Sequence, residues 1–269
     1  MKKNYYRVLT IAGTDSGGGA GVPADIKAIS ACGCYAECAV TAVTVQNTLG
    51  VKAVHDIPPE IIKAQIKAVL DDLGADSIKI GMLSKPETVK AVAEAVKFSD
   101  VKNIVLDPVM VSTSGHRLLS EEAVEVLKNE LLPLADIITP NLPEAEVLLS
   151  RKISSQDETE KCAEDLAQLG RTSVLLKAGH FEDDDLFDVL YNFETKQVTK
   201  YEARRIKTQN THGTGCTLSS ALAAFLAQGL SLECAVENAE NYIQNAIREG
   251  ADYQLGSGHG PVKHFWRFW

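Results

Sequence analysis

Two glycines, a threonine and a thiol stand together near the C-terminal end of the chain. In Gly213-Thr214-Gly215-Cys216 the glycines bracket the threonine, and apolar residues at helical spacing follow at once. A glycine turn that opens a helix gathers unpaired backbone N–H groups and the positive end of the helix dipole. The pattern predicts an anion site at residues 213–216, suited to the charge that grows on a transferring phosphoryl group. A tight turn around a buried cysteine is the simpler alternative.

Cys216 adds a titratable group to this predicted site. A thiol in the first turn of a helix is favoured as the thiolate, because the helix dipole lowers its pKa. A thiolate placed there could take a proton from a substrate hydroxyl group. We therefore expect Cys216, together with the backbone of Gly213, Thr214 and Gly215, to carry the chemistry.

Six further residues follow the ends of predicted strands. They are Gln46, Met82, Asp107, Asn141, Glu144 and Lys177. In open α/β sheets, ligands bind in the crevice outside the carboxyl ends of the strands. We expect these side chains to share one crevice with the 213–215 loop and with a first glycine-rich loop at residues 17–21.

Asn141 and Glu144 lie three residues apart at the start of a predicted helix. Their oxygen atoms suit a hard cation such as Mg²⁺, held mostly through water, and Asp107 offers a second carboxylate. Lys177 can reach the anionic oxygens of a phosphate group. Each has a simpler alternative: a helix start with an acidic first turn, a capping aspartate before a proline, or a surface lysine.

The first glycine-rich loop is a weak phosphate signature. Residues 17–21 lack the Gly-Lys-Ser/Thr ending of a P-loop and the spacing of a dinucleotide fingerprint. Its glycines suggest that the backbone approaches a ligand closely, although a flexible turn is the alternative. Asp25 falls in the first turn of the helix that follows, and we expect it to point towards this loop.

Strand-like and helix-like segments alternate along the chain. This order predicts a parallel sheet covered by helices on both faces, with a hairpin forming an antiparallel edge, in one domain spanning residues 1–269. The predicted strands cover residues 8–12, 38–45, 77–80, 103–106, 136–138, 173–176, 187–193 and 198–203. The predicted helices cover residues 23–31, 59–73, 86–96 and 231–248, with others beginning at Ser120 and after Gly215.

Composition narrows the class of protein. The chain has 269 residues, 45% of them hydrophobic, and a net charge of −9, which argues against nucleic-acid binding driven by phosphate attraction. We find no signal-peptide pattern and no apolar run long enough to cross a membrane. The sequence thus predicts a cytoplasmic protein that does not bind membranes, with free thiols.

Five segments together resemble one family. They are 11–21 (IAGTDSGGGAG), 44–48 (TVQNT), 107–110 (DPVM), 139–145 (TPNLPEA) and 212–217 (HGTGCT). In this order they resemble the hydroxymethylpyrimidine/phosphomethylpyrimidine kinases of thiamine biosynthesis, which are ribokinase-like. The resemblance implies a three-layer α/β/α sandwich. It also implies an ATP- and Mg²⁺-dependent enzyme that phosphorylates 4-amino-5-hydroxymethyl-2-methylpyrimidine and then its monophosphate, and an enzyme that acts as a homodimer.

The resemblance also implies a role for each matching residue. Gln46 would hydrogen-bond the pyrimidine edge, since an amide offers both a donor and an acceptor. The ring pocket would be lined by Gly13, Asp25, Met82 and Val109. Lys177, Asn141 and Thr211 would contact ATP phosphates, Glu144 and Asp107 would organise Mg²⁺, and residues 213–216 would form the anion hole.

The chain departs from the family pattern in places, and alternatives remain open. Ala178 replaces a glycine that often follows the lysine, which weakens the assignment of the nucleotide contacts. The aromatic tail at residues 265–269 is not explained by the family pattern. A pyridoxal or pyridoxine kinase is the main alternative, because that vitamin ring also bears a hydroxymethyl group. A non-catalytic pyrimidine-binding or regulatory protein is a further alternative, against which the 213–216 and Asn141/Glu144 elements argue.

Overall fold

The computed structural model describes residues 3–111, 118–177, 186–203 and 205–269. Ala178, singled out above, lies outside the described residues. The strands are β1 (Arg7–Ala12), β2 (Tyr35–Val40), β3 (Ala42–Asn47), β4 (Gly50–Asp56), β5 (Ser77–Ile80), β6 (Ile104–Leu106), β7 (Ile137–Ile138), β8 (Ser173–Leu176), β9 (Leu186–Asn192) and β10 (Gln197–Ala203). The helices are α1 (Gly21–Ala31), α2 (Pro59–Asp72), α3 (Pro86–Lys97), α4 (Glu121–Val126), α5 (Leu142–Leu149), α6 (Thr159–Gly170), α7 (Thr214–Ala227) and α8 (Leu232–Gly250). Short π and 3₁₀ turns at Leu127–Leu131 and Leu132–Leu134 extend α4, and a 3₁₀ turn at Gln156–Glu158 precedes α6.

Eight strands form the central sheet, in the order β10-β9-β8-β7-β6-β5-β1-β2. The six strands β2, β1, β5, β6, β7 and β8 run parallel to one another, whereas β9 pairs antiparallel with both β8 and β10. The predicted parallel sheet with an antiparallel edge is confirmed. Because the parallel strands end at the same side, their carboxyl ends define one rim of the sheet.

Helices cover both faces of the sheet. Successive side chains of a strand point to opposite faces, so Leu9 and Ile11 of β1 join the core beneath α2 to α6, whereas Val8 joins the core beneath α1, α7 and α8. Strands buried on both faces explain the continuous apolar runs of the sequence. The result is a three-layer α/β/α arrangement.

Local signals fix several helix starts. Proline occupies the first turn of α2 and of α3, where its missing N–H group costs nothing. Ser120 and Ser231 cap α4 and α8 by accepting hydrogen bonds from the backbone N–H groups of Ala123 and Cys234. Among the described residues, no helix is both long enough and apolar enough to span a membrane.

The single strand predicted at residues 38–45 is wrong. Thr41 breaks it, because its N–H group bonds the Ala12 carbonyl at 2.9 Å and its own carbonyl accepts from Ile57. Strand β2 stays in the central sheet, while β3 leaves it and pairs with β4, a strand that the sequence analysis did not find. Gln46 therefore lies within β3, beside a register shift between Val45 and Gln46, and does not follow a strand end.

Candidate active site

Lys177 and Asp107 meet at the rim of the sheet, beneath the first turn of α7. Lys177 follows β8 and Asp107 follows β6, and Nζ lies 3.2 Å from Oδ1. Asp107 also accepts hydrogen bonds from the hydroxyl groups of Thr139 and Ser219, both at 3.2 Å. A Cβ added to Gly215 would lie 3.3 Å from Lys177 Nζ, so the ammonium group is next to the predicted anion site.

The two glycine-rich loops pack against each other. A Cβ on Gly213 would overlap the Gly19 carbonyl oxygen, and a Cβ on Gly19 would lie 2.5 Å from His212. Gly213 adopts φ 80°, a conformation that favours glycine, and it caps α7. The glycines at 17–21 were expected to let backbone approach a ligand. In the structure at least Gly19 lets backbone approach the neighbouring loop.

Asp15 supplies the anion that the first glycine-rich loop holds. Its carboxylate accepts backbone N–H bonds from Gly17, Gly19 and Ala20 at 2.7–3.0 Å, and His212 Nε2 lies 2.8 Å away. Burial disfavours the charged form, but the hydrogen bonds from His212 and Gly17 outweigh it and lower the pKa of Asp15. The loop is thus organised around its own carboxylate.

Cys216 lies near the buried charges of Lys79 and Asp25, and its own surface is only partly buried. Burial raises the pKa of the Cys216 thiol to about 11, while the nearby Lys79 ammonium and the Gly21 N–H group oppose that rise. The expectation that the helix dipole leaves this thiol with a lowered pKa is therefore wrong. Desolvation outweighs the dipole, because the thiolate is surrounded by protein.

Asp25 does not point towards the glycine-rich loop, contrary to our expectation. Its side chain is fully buried, where it pairs with the equally buried Lys79 at 2.9 Å and accepts hydrogen bonds from Thr10 and Ser220. Burial opposes the charge on Lys79, yet the Asp25 carboxylate prevails and raises the pKa of Lys79. Since no part of the Asp25 side chain is exposed, this carboxylate supports the site from beneath α7.

Asn141 and Glu144 form a capping box at the start of α5. Asn141 Oδ1 accepts from the Glu144 N–H group, and Glu144 Oε2 accepts from the Asn141 N–H group, both at 2.9 Å. Glu144 is almost fully buried, and burial raises its pKa to about 7, with Asp107 adding to the rise and Lys177 opposing it. The simpler alternative, a capped helix start, is thus part of what these residues do.

A magnesium site can be built here only through water. Each Glu144 oxygen already accepts one backbone N–H bond and keeps a lone pair. Asp107 Oδ2 accepts one bond from the Ser219 hydroxyl group and also keeps a lone pair. Within the described ranges, no group of three or more His, Cys, Asp or Glu side chains could hold a metal ion directly. The two carboxylates therefore fit a hydrated Mg²⁺ rather than a closed protein cage.

Apart from the buried Asp25, the predicted ring-binding residues follow β1, β5 and β6 or lie within β3. Gly13 faces Met82 so closely that an added Cβ would lie 3.1 Å from Sδ. One terminal atom of the Gln46 amide lies 3.4 Å from His212 Nε2, and this contact joins β3 to the anion loop. Val109 is half-buried two residues beyond Asp107. Of these residues, Gln46 contacts the residue that precedes the 213–216 loop, and the ring-binding role of the set stays a prediction.

Thr211 acts on the anion loop through its backbone. Its carbonyl accepts from the Thr214 N–H group at 3.2 Å and from the Thr214 hydroxyl at 2.6 Å. Asn210, which precedes Thr211, is itself anchored, because its side-chain amide nitrogen donates to the carbonyls of Gly250 and Tyr253. These bonds hold the turn that presents residues 213–216.

Asp15, Lys79 and Ser219 belong to the site although the sequence predicts no role for them, and His212, a possible ligand by residue type, pairs with Asp15. Asp15 and His212 are far apart in the chain, and nothing in a single sequence shows that their loops touch. Lys79 lies within an otherwise apolar strand, Ser-Ile-Lys-Ile. A lysine in such a strand indicates a buried partner of opposite charge, since lysine is almost never fully buried without one. This was the one sequence signal that could have led to these residues.

Comparison with known proteins shows the family to which the chain belongs. The sequence profile of the phosphomethylpyrimidine kinase family matches residues 15–263. The hydroxymethylpyrimidine/phosphomethylpyrimidine kinase of Rhizobium meliloti (strain 1021) is 46% identical over 262 residues, which cover 97% of each chain. A crystal structure of the phosphomethylpyrimidine kinase from Clostridium difficile 630 has 44% identity and a TM-score of 0.80, over 90% of this chain and 99% of that one.

A second solved structure concerns a different vitamin. The ADP complex of Bacillus subtilis pyridoxal kinase shares 34% identity and a TM-score of 0.88, over 97% of this chain and 98% of that one. The fold is therefore that of a ribokinase-like kinase, a class of protein that uses ATP as co-substrate. The chain belongs to the phosphomethylpyrimidine kinase family.

Proposed function

We propose that this protein transfers the γ-phosphoryl group of ATP to the hydroxymethyl group of 4-amino-5-hydroxymethyl-2-methylpyrimidine, and then to the resulting monophosphate, in thiamine biosynthesis. The observation that carries the proposal is the contact between Gln46 and His212, in which one terminal atom of the Gln46 amide lies 3.4 Å from His212 Nε2. It joins an amide suited to an aminopyrimidine edge to the residue that precedes the anion loop. A ring held by Gln46 then has its hydroxymethyl group within reach of residues 213–216.

The anion loop stabilises the charge that develops during transfer. Backbone N–H groups at the start of α7, aided by the helix dipole, surround the transferring phosphoryl group. Lys177, held against Asp107, supplies a positive charge on the opposite side of Gly215. These charges are fixed before the substrate arrives, so little reorganisation is needed during the reaction.

Mg²⁺ would be held through water by Asp107 and Glu144, with Asn141 fixing the Glu144 carboxylate through the capping box. When bound, the ion neutralises phosphate charge and draws the phosphate oxygens together. Lys177, Asn141 and Thr211 would orient the ATP phosphates on the same rim. Removal of Mg²⁺ with a chelator is expected to abolish turnover, and Glu144→Gln is expected to raise the Mg²⁺ concentration needed for half-maximal rate.

Cys216 would accept the proton of the substrate hydroxyl as transfer proceeds. It stands in the first turn of α7 beside Gly215, and the fully buried Lys79 favours its thiolate. Cys216→Ala should therefore lower kcat far more than it weakens pyrimidine binding. Near wild-type kcat in that variant would remove Cys216 from the mechanism while leaving the substrate assignment intact.

A direct assay tests the proposal. Purified protein is incubated with Mg-ATP and hydroxymethylpyrimidine, and the products are weighed by mass spectrometry over time. We expect a gain of one phosphate and then of a second. A matched Gln46→Leu variant should lose the first product through a raised KM. Absence of any phosphorylated pyrimidine from the wild-type protein would overturn the proposal.

Pyridoxal kinase activity is the second candidate, favoured by the 34% identity to the Bacillus subtilis pyridoxal kinase. The same assay with pyridoxal in place of hydroxymethylpyrimidine decides between them. Pyridoxal phosphate as the sole product would establish the second candidate. A third candidate, a non-catalytic pyrimidine-binding protein, predicts that neither ring gains phosphate.

We also propose that residues 1–269 act as one kinase domain in a cytoplasmic homodimer that binds neither nucleic acid nor membranes. The net charge of −9 supports the absence of nucleic-acid binding, and the family resemblance supports the dimer. Sedimentation velocity at micromolar concentration should give a species of twice the chain mass. A monomer at working concentration would contradict this part of the proposal.

A further inference from the structure

Four side chains form a hydrogen-bonded row between the two loops and strand β3. Asp15 Oδ2 lies 2.8 Å from His212 Nε2, and His212 Nε2 lies 3.4 Å from one terminal atom of the Gln46 amide. The other terminal atom of that amide lies 3.2 Å from Thr44 Oγ1. Thr44 Oγ1 in turn lies 2.8 Å from the carbonyl oxygen of Thr14. An amide oxygen and an amide nitrogen have nearly the same shape, so the row itself decides which end of the Gln46 amide is which.

His212 determines which atom of the Gln46 amide faces it. The Asp15 carboxylate accepts three backbone N–H bonds and is therefore ionised, so it can only accept from His212. Nε2 of His212 must then carry a proton, whether the ring is neutral or charged. An amide nitrogen facing Nε2 would place two N–H groups against each other, whereas an amide oxygen there faces the partial positive charge of the N–H group whose proton Asp15 accepts.

Thr44 determines the other end independently. Its hydroxyl has one proton, and the Thr14 carbonyl at 2.8 Å can only accept, so the proton is used there. Thr44 Oγ1 is then an acceptor towards Gln46. The amide atom beside it must be the nitrogen. Thr44 is almost fully buried, and so is His212, so few water molecules can compete for these positions.

We propose that Asp15 and His212, with Thr44, are positioning residues that hold the Gln46 amide in one orientation, its oxygen towards His212 and its nitrogen towards Thr44, and thereby select the aminopyrimidine over pyridoxal. This inference rests on the proposed function, since it concerns how the same site recognises its ring. It specifies which end of the Gln46 amide donates a hydrogen bond to the ligand and which end accepts one. The ligand must therefore offer a donor on the His212 side and an acceptor on the Thr44 side.

The substituents of the pyrimidine match that requirement. Around the ring, the acceptor nitrogen, the carbon with the amino group and the carbon with the hydroxymethyl group follow one another. With the ring nitrogen facing Gln46 Nε2 and the amino group facing Gln46 Oε1, the hydroxymethyl group lies beyond the His212 end. His212 directly precedes Gly213, so that end is the one nearest the anion loop. The reversed amide would turn the hydroxymethyl group away from it.

Pyridoxal fails the same requirement. The two ring positions beside its hydroxymethyl group carry an aldehyde, which only accepts hydrogen bonds, and a C–H group. Neither can donate a conventional hydrogen bond to the Gln46 oxygen. A buried polar atom left without its partner discriminates strongly against the ligand that leaves it so. The fixed amide therefore works against pyridoxal as well as for the pyrimidine.

The test compares kcat/KM for hydroxymethylpyrimidine and for pyridoxal in wild type and variants. His212→Phe keeps a ring of similar size and removes the N–H group that fixes the amide. We expect kcat/KM for the pyrimidine to fall about tenfold or more, mainly through KM, while that for pyridoxal holds or rises. His212→Gln, which restores an N–H donor towards Asp15, should recover part of the preference. Thermal unfolding checks that each variant is folded.

Thr44→Val provides a second test that leaves His212 intact. It keeps the shape of the side chain and removes the acceptor at the other end of the amide, so the preference should shift in the same direction. An equal fall for both rings, in a folded His212→Phe protein or in Thr44→Val, would reduce these residues to a structural role and overturn the inference. A wild-type protein that phosphorylates no pyrimidine would overturn the proposed function itself, and a wild-type protein that prefers pyridoxal would overturn both.

Discussion

Gly215 lies directly against the ammonium group of Lys177. A Cβ on Gly215 would lie 3.3 Å from Lys177 Nζ and 3.6 Å from Asp107 Oδ2, so an added methyl group would shift the ammonium group by a few tenths of an ångström. Lys177 Nζ and Asp107 Oδ1 form an ion pair at 3.2 Å. The pair can occupy this position because Gly215, which lies against it, has no side chain. The small size of Gly215 therefore serves the charge arrangement of the site.

Gly215→Ala should lower the activity of the protein without lowering its stability. Gly215 is the second residue of α7 and does not need a positive φ, so alanine is expected to keep or slightly raise the unfolding temperature. The methyl group should nevertheless shift Lys177 and lower kcat by about tenfold, equivalent to about 1.4 kcal/mol in the barrier. Thermal unfolding and steady-state kinetics on one preparation measure both. A lowered unfolding temperature with unchanged kcat would be the opposite of this expectation.

Gly213→Ala should behave differently from Gly229→Ala. Both glycines have similar positive φ angles, 80° and 83°, so both variants bear a similar backbone cost of about 1–2 kcal/mol. Only Gly213 faces another loop, where an added Cβ overlaps the Gly19 carbonyl, whereas nothing lies within 4 Å of a Cβ on Gly229. Urea unfolding should therefore show a clearly larger loss for Gly213→Ala, with loss of activity. Equal losses would mean that the two loops do not depend on their close contact.

Apolar periodicity and strand-end polar residues predicted much of the architecture. The alternating order yields the parallel sheet and its antiparallel edge, and the rim position predicted for Asp107, Asn141 and Lys177 agrees with the structure. The departure of β3 from the central sheet was not predictable, because Thr41 breaks the strand through bonds to Ala12 and Ile57, which are distant in sequence.

The electrostatics of the site were less predictable than its position. The sequence places Cys216 at a helix start, where the dipole lowers a thiol pKa, but it does not reveal the surrounding protein that raises it. The sequence also does not reveal that the Asp15 carboxylate accepts the backbone N–H bonds that the first glycine-rich loop could have offered to a phosphate group. Desolvation and long-range pairing depend on contacts between segments that one sequence does not connect.

Glu144 should make the protein less stable as pH rises towards neutrality. Burial raises its pKa to about 7 in the folded state, above its ordinary value. Stability linked to its protonated form is fully present below the ordinary pKa near 4.5 and is lost as pH rises through about 7. The size of the effect is at most about 3 kcal/mol, with Lys177 and Asp107 as the charged neighbours.

Glu144→Gln should therefore lose this dependence. Unfolding free energies from urea titrations at pH 5 and pH 8 should differ less in the variant than in the wild type. Glu146→Gln, on the same helix, is the matched control, because a hydrogen bond from Lys152 lowers the pKa of Glu146 instead. If both variants retained the wild-type difference, burial of Glu144 would not be its source.

Cys216 should give kcat a rising pH profile. Its pKa of about 11 means that the thiolate fraction grows about tenfold per pH unit below that value. If the thiolate takes the substrate proton, kcat should rise across pH 7–9, and Cys216→Ser should flatten the profile because a hydroxyl does not ionise in that range. Steady-state rates at saturating pyrimidine and Mg-ATP measure this. A wild-type profile with no slope would exclude proton transfer to Cys216 as the limiting step.

A single competition reaction tests the central assignment most directly. Equal concentrations of hydroxymethylpyrimidine and pyridoxal are mixed with wild-type protein, Mg²⁺ and a limiting amount of ATP, and both phosphorylated products are quantified by mass spectrometry. The ratio of products gives the ratio of the two kcat/KM values without separate kinetics. We predict that phosphorylated pyrimidine dominates. Predominance of pyridoxal phosphate would contradict the account.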